Sequence, residues 1–376
     1  MKKVMIIFGT RPEAIKMAPV ISVLKEEKEI ETIVCSTGQH REMLKQVLDI
    51  FNIEIDYDLD LMRPNQDLFD ISVNSLTRLK EVLSEHTPDI LMVQGDTSTA
   101  FISALAAFYK RIKIAHVEAG LRSYNINSPY PEEANRRFIS VISDYNFAPT
   151  EDSKQNLITE GFPKEKVFVT GNTVIDALYM IKDKLQDKEL CNKTEEEINS
   201  AYNSNLFVKP FILITMHRRE KFGDEFKNVL NTLKEIAIQR PDYNFIYPVH
   251  LNPNVQIPVN EILKDVSNIK LIPPQDYFNF IYLMSKCLFI MTDSGGVQEE
   301  CFVFEKPVIV LRDVTERNEA IKAGYAFLVS SNSVLIKEKF FEIEEKLKDG
   351  YNYFNCENPF GNGKSANLIK DILLNN

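Results

Sequence analysis

The chain has no excess of positive charge: 54 acidic residues stand against 44 lysines and arginines, for a net charge of -10. That balance excludes nucleic acid or an anionic membrane surface as the main partner, so an anionic ligand must be met by arginines gathered locally. Long apolar runs are missing too. After the basic Met1-Lys2-Lys3, the run from Val4 to Phe8 is broken at once by Gly9-Thr10-Arg11-Pro12-Glu13. It is too short for a signal segment, and nothing later approaches a membrane span. The cysteines (Cys35, Cys191, Cys287, Cys301 and Cys356) are odd in number and scattered, without paired metal spacing. Three lie in apolar runs, so buried free thiols in a reducing cytosol, and a cytoplasmic protein, are the expectation. The glycine fingerprints of dinucleotide and Walker loops are also missing. Gly361-Asn362-Gly363-Lys364-Ser365 ends like a Walker loop, yet Asn358 stands where the first glycine is required and no strand precedes it.

What is present is a regular alternation of apolar β-branched runs with amphipathic helical patterns. Strands are expected at Val4–Phe8, Glu31–Ser36, Ile90–Gln94, Lys113–Val117, Asn146–Ala148 and Val167–Thr170. Helices are expected between them at Ala14–Glu27, Arg41–Phe51, Leu68–Glu85, Thr99–Tyr109, Glu132–Ser143, Ser153–Gly161 and Val174–Leu185. Asp187 to Asn205 is polar and poor in periodic apolar positions, and reads as an inter-domain connection. The alternation restarts with strands at Phe211–Thr215, Phe245–Val249, Lys270–Ile272, Cys287–Thr292, Val308–Leu311 and Ala326–Val329. Helices at Glu225–Gln239, Val259–Leu263, Phe278–Met284 and Gly296–Phe304 separate most of them. Strand and helix in strict turn mean parallel sheets covered on both faces. With 376 residues, enough for two cores, the expectation is an α/β protein of two Rossmann-like, doubly wound domains across a cleft, residues 1–186 and 187–365.

The stretch from Cys287 to Phe304 is the most informative. An apolar strand ends in Ser294-Gly295-Gly296 and passes into a helix, with Ser294 as N-cap and two residues without Cβ beside unpaired backbone N–H groups. That is either an anion cradle or an ordinary turn that uses glycine for geometry. It does not stand alone. Gly9-Thr10-Arg11, Thr37-Gly38-Gln39-His40, Gly95-Asp96-Thr97, Glu118-Ala119-Gly120, Met216-His217-Arg218-Arg219 and His250 each directly follow a predicted strand. In open parallel sheets that edge is where ligands bind.

Each constellation has a plain reading beside the functional one. Arg11 and Lys16 either supply positive charge at the first turn or lie on a solvated helix face. Asp96, Glu118 and the pair Glu132-Glu133 come from separate strand ends; if they converge, mutual repulsion raises at least one pKa and suits proton transfer. Asp96 before Thr97, and Glu132 after Pro131, also suit helix N-termini. His217, among Arg218, Arg219 and Glu220, could bind or protonate a phosphate. His116 reads as a hydrogen-bonded core residue and His86 as solvated. Asp56-Tyr57-Asp58-Leu59-Asp60-Leu61 looks like a metal-binding acidic pair, but its alternation makes it an edge segment with its acids in water. No metal site is assigned.

Read in order, the motifs resemble the non-hydrolysing UDP-N-acetylglucosamine 2-epimerase family. The pieces are Gly9-Thr10-Arg11-Pro12-Glu13, Gln39-His40-Arg41, Gln94-Gly95-Asp96-Thr97 and His116 through Ser123. Pro131-Glu132-Glu133, Asn135-Arg136-Arg137, Gly171-Asn172-Thr173, His217-Arg218-Arg219-Glu220, Asp293-Ser294-Gly295-Gly296, Gln298-Glu299-Glu300 and Thr315-Glu316-Arg317 follow. The resemblance implies the GT-B fold, a homodimer, and a last helix at roughly Ala366–Leu374, within residues 366–376, that returns to the first domain. It implies nucleotide binding by Arg11, Lys16, His217, Ser294, Gly295, Gly296, Glu300 and Arg317, with Gln275 and Phe280 near the uracil. Asp96, Glu118 and Glu132 fall around the reacting sugar, with Arg136 also on the substrate and His217 counted with the catalytic groups. Gln39 and His40 match a region where some members bind a second UDP-sugar as activator.

The chemistry the resemblance implies suits these residue types. The proton on carbon 2 is not acidic, because the acetamido group beside it offers no enolate. Expelling UDP from carbon 1 first develops positive charge next to carbon 2, and a carboxylate can then take the proton to leave a glycal. UDP adds back after a proton returns to the other face, and no redox cofactor is needed. A hydrolysing 2-epimerase, a GT-B glycosyltransferase and a nucleotide-sugar sensor share parts of this pattern. Lys221, Asn318 and Tyr325 stand where the family usually has Asn, Pro and Thr, and bear on which 2-acetamido UDP sugar is used.

Overall fold

The computed structural model describes residues 1–38, 41–61, 66–202, 205–217, 223–315 and 317–376. Two compact units result, the first Met1–Met180 with Phe360–Asn376, the second Ile181–Pro359.

Unit 1 runs β1 (Lys2–Phe8), α1 (Arg11–Glu26), β2 (Ile30–Ser36), α2 (Arg41–Phe51), β3 (Tyr57–Asp58), α3 (Leu68–His86), β4 (Ile90–Gln94) and α4 (Ser98–Tyr109). It continues through β5 (Lys113–Val117), α5 (Glu132–Ile142), β6 (Tyr145–Ala148), α6 (Glu151–Thr159), β7 (Val167–Val169) and α7 (Thr173–Lys184). Unit 2 runs α8 (Lys188–Tyr202), β8 (Phe211–Thr215), α9 (Asp224–Gln239), β9 (Asn244–Pro248), α10 (Pro253–Leu263), β10 (Ile269–Ile272), α11 (Tyr277–Lys286) and β11 (Ile290–Thr292). Then come α12 (Gly295–Glu300), β12 (Val308–Val310), α13 (Asn318–Lys322), β13 (Ala326–Leu328) and α14 (Ser333–Lys348), while α15 (Ser365–Asn375) belongs to unit 1.

Every strand pairing is parallel, in the orders β3-β2-β1-β4-β5-β6-β7 and β10-β9-β8-β11-β12-β13. Both sheets are doubly wound, and each changes winding direction between its first and fourth strands. The carboxyl ends on either side of that point are the natural ligand edge of such a sheet. The reason for the strands is plain in β1, where Val4 to Phe8 are wholly buried, as a strand covered on both faces requires. Helix α1 starts where it does because Thr10 caps it, Pro12 pre-sets its first turn, and Glu13 completes a capping box. Its apolar residues Ala14, Met17, Ala18, Ile21 and Leu24 then recur on one buried face.

Three local expectations change. Residues 187–205, read as a connection from their polarity, contain helix α8, which buries Thr194 and Ile198 and whose Glu195 accepts a hydrogen bond from the Tyr282 hydroxyl. Helix α14 was not anticipated, although Ile336, Phe340 and Ile343 recur with helical spacing and are buried. His86 is not solvated: its ring packs 4.3 Å from that of Tyr57, the edge strand's aromatic residue.

Candidate active site

In unit 1 the ends of β1, β4 and β5 and the helices α1 and α5 supply one polar cluster. Asp96 follows β4, and the choice between cap and reactive group is decided by its neighbour. Thr97 caps α4, its hydroxyl accepting from the Ala100 N–H at 3.0 Å, so the Asp96 carboxylate is not spent on the helix. It pairs instead with the Arg136 guanidinium from α5. Glu118 follows β5 in a left-handed backbone conformation, φ 66°, which for a non-glycine residue costs on the order of 1–2 kcal/mol. Its carboxylate is held by the Lys16 ammonium from α1 and by Gln94 Nε2 at 2.5 Å. Burial pushes the Asp96 carboxyl above the ordinary carboxylate range; Arg136 opposes this, Glu118 adds to it, and Lys16 opposes it. Asp96, Glu118, Lys16 and Arg136 thus form one electrostatic group, in which a carboxyl that holds its proton unusually well lies near a second carboxylate.

The other predicted residues of this unit fall around that group. Arg11, at the head of α1, is half-buried, and its side chain makes no hydrogen bond or ion pair among the described residues. Lys16 is drawn to Glu118 and keeps 18% of its side-chain surface, so it is not part of a solvated face. Glu132 begins α5, half-buried, its side chain with no hydrogen bond or ion pair among the described residues. Its neighbour Glu133 is the buried one, accepting from the Ser123 N–H at 2.9 Å and lying 3.4 Å from Arg136. His116 is a core residue, its Nε2 2.7 Å from the Gly95 carbonyl, and burial lowers its pKa to about 4. The neutral ring therefore donates Nε2–H to Gly95. Gln39 and His40 lie outside the described residues.

In unit 2 the corresponding edge is built on Asp293, 3% exposed at the end of β11. Its Oδ2 accepts the His217 N–H at 2.8 Å, and its Oδ1 lies 3.6 Å from His217 Nδ1. The His217 ring stacks on His250, centroids 5.6 Å apart and planes 15° from parallel. Ser294 takes the N-cap position of α12 but makes no side-chain cap bond, which corrects the expectation that its hydroxyl caps the helix. The hydroxyl of Thr292 accepts the Ser294 N–H instead, at 2.9 Å. Arg317 lies over the turn, its guanidinium carbon 3.5 Å from where a Cβ on Gly295 would stand. Glu299 holds that guanidinium at 2.7 Å, and the Glu300 carboxylate comes within 3.9 Å of the Gly296 Cβ position. Ser294, Gly295, Gly296, Glu300 and Arg317 are therefore together. Gln275 precedes α11 and Phe280 lies within it; neither forms a hydrogen bond or ring contact with that group among the described residues, Gln275 bonding the Pro273 carbonyl.

The family model for UDP-N-acetylglucosamine 2-epimerase matches residues 22–374. The chain belongs to the UDP-N-acetylglucosamine 2-epimerase family. A relative of that name from Campylobacter jejuni is 50% identical over 99% of this chain and 97% of its own length. A second, from Neisseria meningitidis serogroup A, is 49% identical over the whole of both chains. The crystal structure of UDP-GlcNAc 2-epimerase from Neisseria meningitidis bound to UDP-GlcNAc superposes with a TM-score of 0.91 at 49% identity, covering both chains fully. That of the Methanocaldococcus jannaschii enzyme in complex with UDP-GlcNAc and UDP gives 0.80 at 35% identity, again over both whole chains. The family is one of isomerases, and its solved members share the two-sheet GT-B architecture described above.

Several residues of these clusters were not singled out from sequence. Gln94, quoted in the motif Gln94-Gly95-Asp96-Thr97 but given no role there, is the polar residue that closes an otherwise apolar strand at the ligand edge. Asn135 donates to the Asp96 carbonyl at 2.9 Å, and Asp293 and Glu299 orient His217 and Arg317. All three lie inside recognised motifs, but only the fold shows what they hold. Of the departures from the family pattern, Tyr325 is fully buried and donates to the Gln298 carbonyl at 3.0 Å, and Asn318 begins α13. Lys221 lies outside the described residues.

Proposed function

We propose that the chain interconverts UDP-N-acetylglucosamine and UDP-N-acetylmannosamine by eliminating UDP and adding it back to a bound glycal. The observation that carries this reading is the grouping of Asp96 and Glu118 with Lys16 and Arg136, in which burial raises the Asp96 carboxyl. Moving a proton on and off carbon 2, on either face, needs differently placed acids whose proton affinities differ. Asp96 and Glu118 are assigned to that transfer, with Glu132 as the third acid. Unit 1 takes the sugar and unit 2 the nucleotide. The departing pyrophosphate is met by Arg11, His217, Ser294, Gly295 and Gly296, with Lys16, Arg136, Glu300 and Arg317 also on the UDP sugar and Gln275 and Phe280 at the uracil. Charge stabilisation of this kind contributes most when the donors are already oriented, as Asp293 and Glu299 orient His217 and Arg317. The enzyme acts in the cytoplasm as a homodimer, takes activator at Gln39 and His40, and supplies an activated sugar for cell-surface polysaccharide.

The test is incubation with UDP-N-acetylglucosamine in deuterium oxide, followed by proton and phosphorus NMR. Deuterium at carbon 2 in two intact UDP sugars, with little free UDP, is the expected result. Stoichiometric UDP with free N-acetylmannosamine would make the protein a hydrolysing epimerase, and the absence of any exchange would overturn the assignment of substrate.

A further inference from the structure

Glu13 belongs to a motif already noted, but the reaction as described gives it no part. A capping-box glutamate ordinarily sits at the surface and closes one helix turn. Glu13 is 1% exposed, and among the described residues nothing cationic accounts for its burial: its partners there are all neutral. One oxygen, Oε2, accepts from the Gly9 N–H at 3.1 Å, the Thr10 N–H at 2.7 Å and the Thr10 hydroxyl at 2.7 Å. The other, Oε1, leaves the helix and accepts from the Thr97 hydroxyl at 2.7 Å. A single carboxylate therefore joins the turn after β1 to the turn after β4, the two loops that flank the point where the sheet changes winding direction.

The contact with Thr97 completes a pattern. Three successive residues after β4 are each tied by a side chain from a different element: Gly95 by His116 of β5, Asp96 by Asn135 of α5, and Thr97 by Glu13 of α1. The Gly9 turn is packed so closely that a Cβ there would come within 2.2 Å of the Thr37 hydroxyl, so this loop has little room to shift by itself. Burying a carboxylate without a cation is unfavourable, and its raised pKa reflects that. We propose that Glu13 is a positioning residue: it fixes the Asp96 carboxylate relative to Arg11 and Lys16 by locking the two turns together. The inference rests on the assignment of Asp96 to proton transfer. A carboxylate suits the task because it accepts at both oxygens, whereas an amide offers one acceptor and forces a hydroxyl to turn.

The experiment compares Glu13→Gln, Thr97→Val and Thr97→Ser in the full chain, reading kcat and KM for UDP-N-acetylglucosamine, exchange at carbon 2 and the melting temperature. Thr97→Val cuts the bridge and also removes the α4 cap, and Thr97→Ser restores both. Glu13→Gln perturbs the bridge with the cap intact, so agreement between Glu13→Gln and Thr97→Val separates the bridge from the cap. A displaced catalytic group lowers turnover without weakening ground-state binding. Glu13→Gln and Thr97→Val are expected to lower kcat and exchange by about tenfold or more with KM changed less than about threefold. Thr97→Ser is expected to return kcat to near the wild-type value, and the double variant to lose little more than the worse single one. Unchanged kcat in folded Glu13→Gln and Thr97→Val proteins, or a loss of kcat in Thr97→Val that Thr97→Ser does not restore, would overturn the inference. Failure of the wild-type chain to exchange at carbon 2 would overturn the assigned reaction instead, so the two failures are distinct.

Discussion

His116 shows how a buried side chain acquires a pH dependence from partners distant in sequence. In a run of apolar residues it reads as a hydrogen-bonded core residue, and its bond to the Gly95 carbonyl gives that core residue the further task of steadying the Asp96 turn. Unfolded, the imidazole takes a proton near 6.5; folded, it stays neutral down to about 4. The unfolded state therefore binds more protons between those values, so this contribution is intact above the upper value and is lost as pH falls through the window. It amounts at most to about 3 kcal/mol. His116→Gln should flatten the decline of stability with acid over that window, measured by denaturant unfolding at a series of pH values. Glu13 has the opposite sign: its folded pKa is raised, so its stabilising effect is present in acid and lost as pH rises through that folded value. The types of these residues were plain in the sequence, but the partners lie 21 residues away for His116 and 84 for Glu13, beyond the reach of local pattern.

Helix α15 depends on a residue far from it in sequence. Lys364, at its N-cap position, makes no cap bond; Asp176 of α7 accepts the Ala366 N–H at 2.9 Å. Beside it the Gly171-Asn172-Thr173 motif receives the returning chain, with the Asn172 N–H on the Phe360 carbonyl at 2.8 Å. Gly171, at φ 85°, has no room for a side chain, since a Cβ would stand 2.6 Å from the Ser365 hydroxyl. Asp176→Ala should cost about 1–2 kcal/mol of stability, and Asp176→Asn, which keeps the acceptor, less. Urea unfolding of both variants checks this, and equal losses would mean that capping is not what Asp176 contributes. Helices with apolar periodicity and a clear cap, such as α1, could be read directly from the residues. Helix α8 could not, because its polar surface hides the few positions, Thr194 and Ile198, that it buries.

Unit 1 offers a face on which the proposed homodimer can be tested. Helices α3, α4 and α5 pack side by side, and α3 and α5 expose Phe69, Val73, Phe138 and Val141. Sedimentation equilibrium should give about twice the mass of one chain, and Phe69→Asp with Val141→Asp should shift it toward the monomer. A dimer undisturbed by both changes would place the interface elsewhere. Strand and helix alternation, the two parallel sheets and the loops at their carboxyl edges all follow from the order of residues, because burial period and turn chemistry are local properties. The division of labour within those loops does not. That Thr97 rather than Asp96 caps α4, that Glu133 is buried while Glu132 is not, and that Ser294 leaves its helix uncapped are settled by packing. A carboxylate's proton affinity and partners depend on which strand ends the fold brings together, and that information exists only once the sheets have formed.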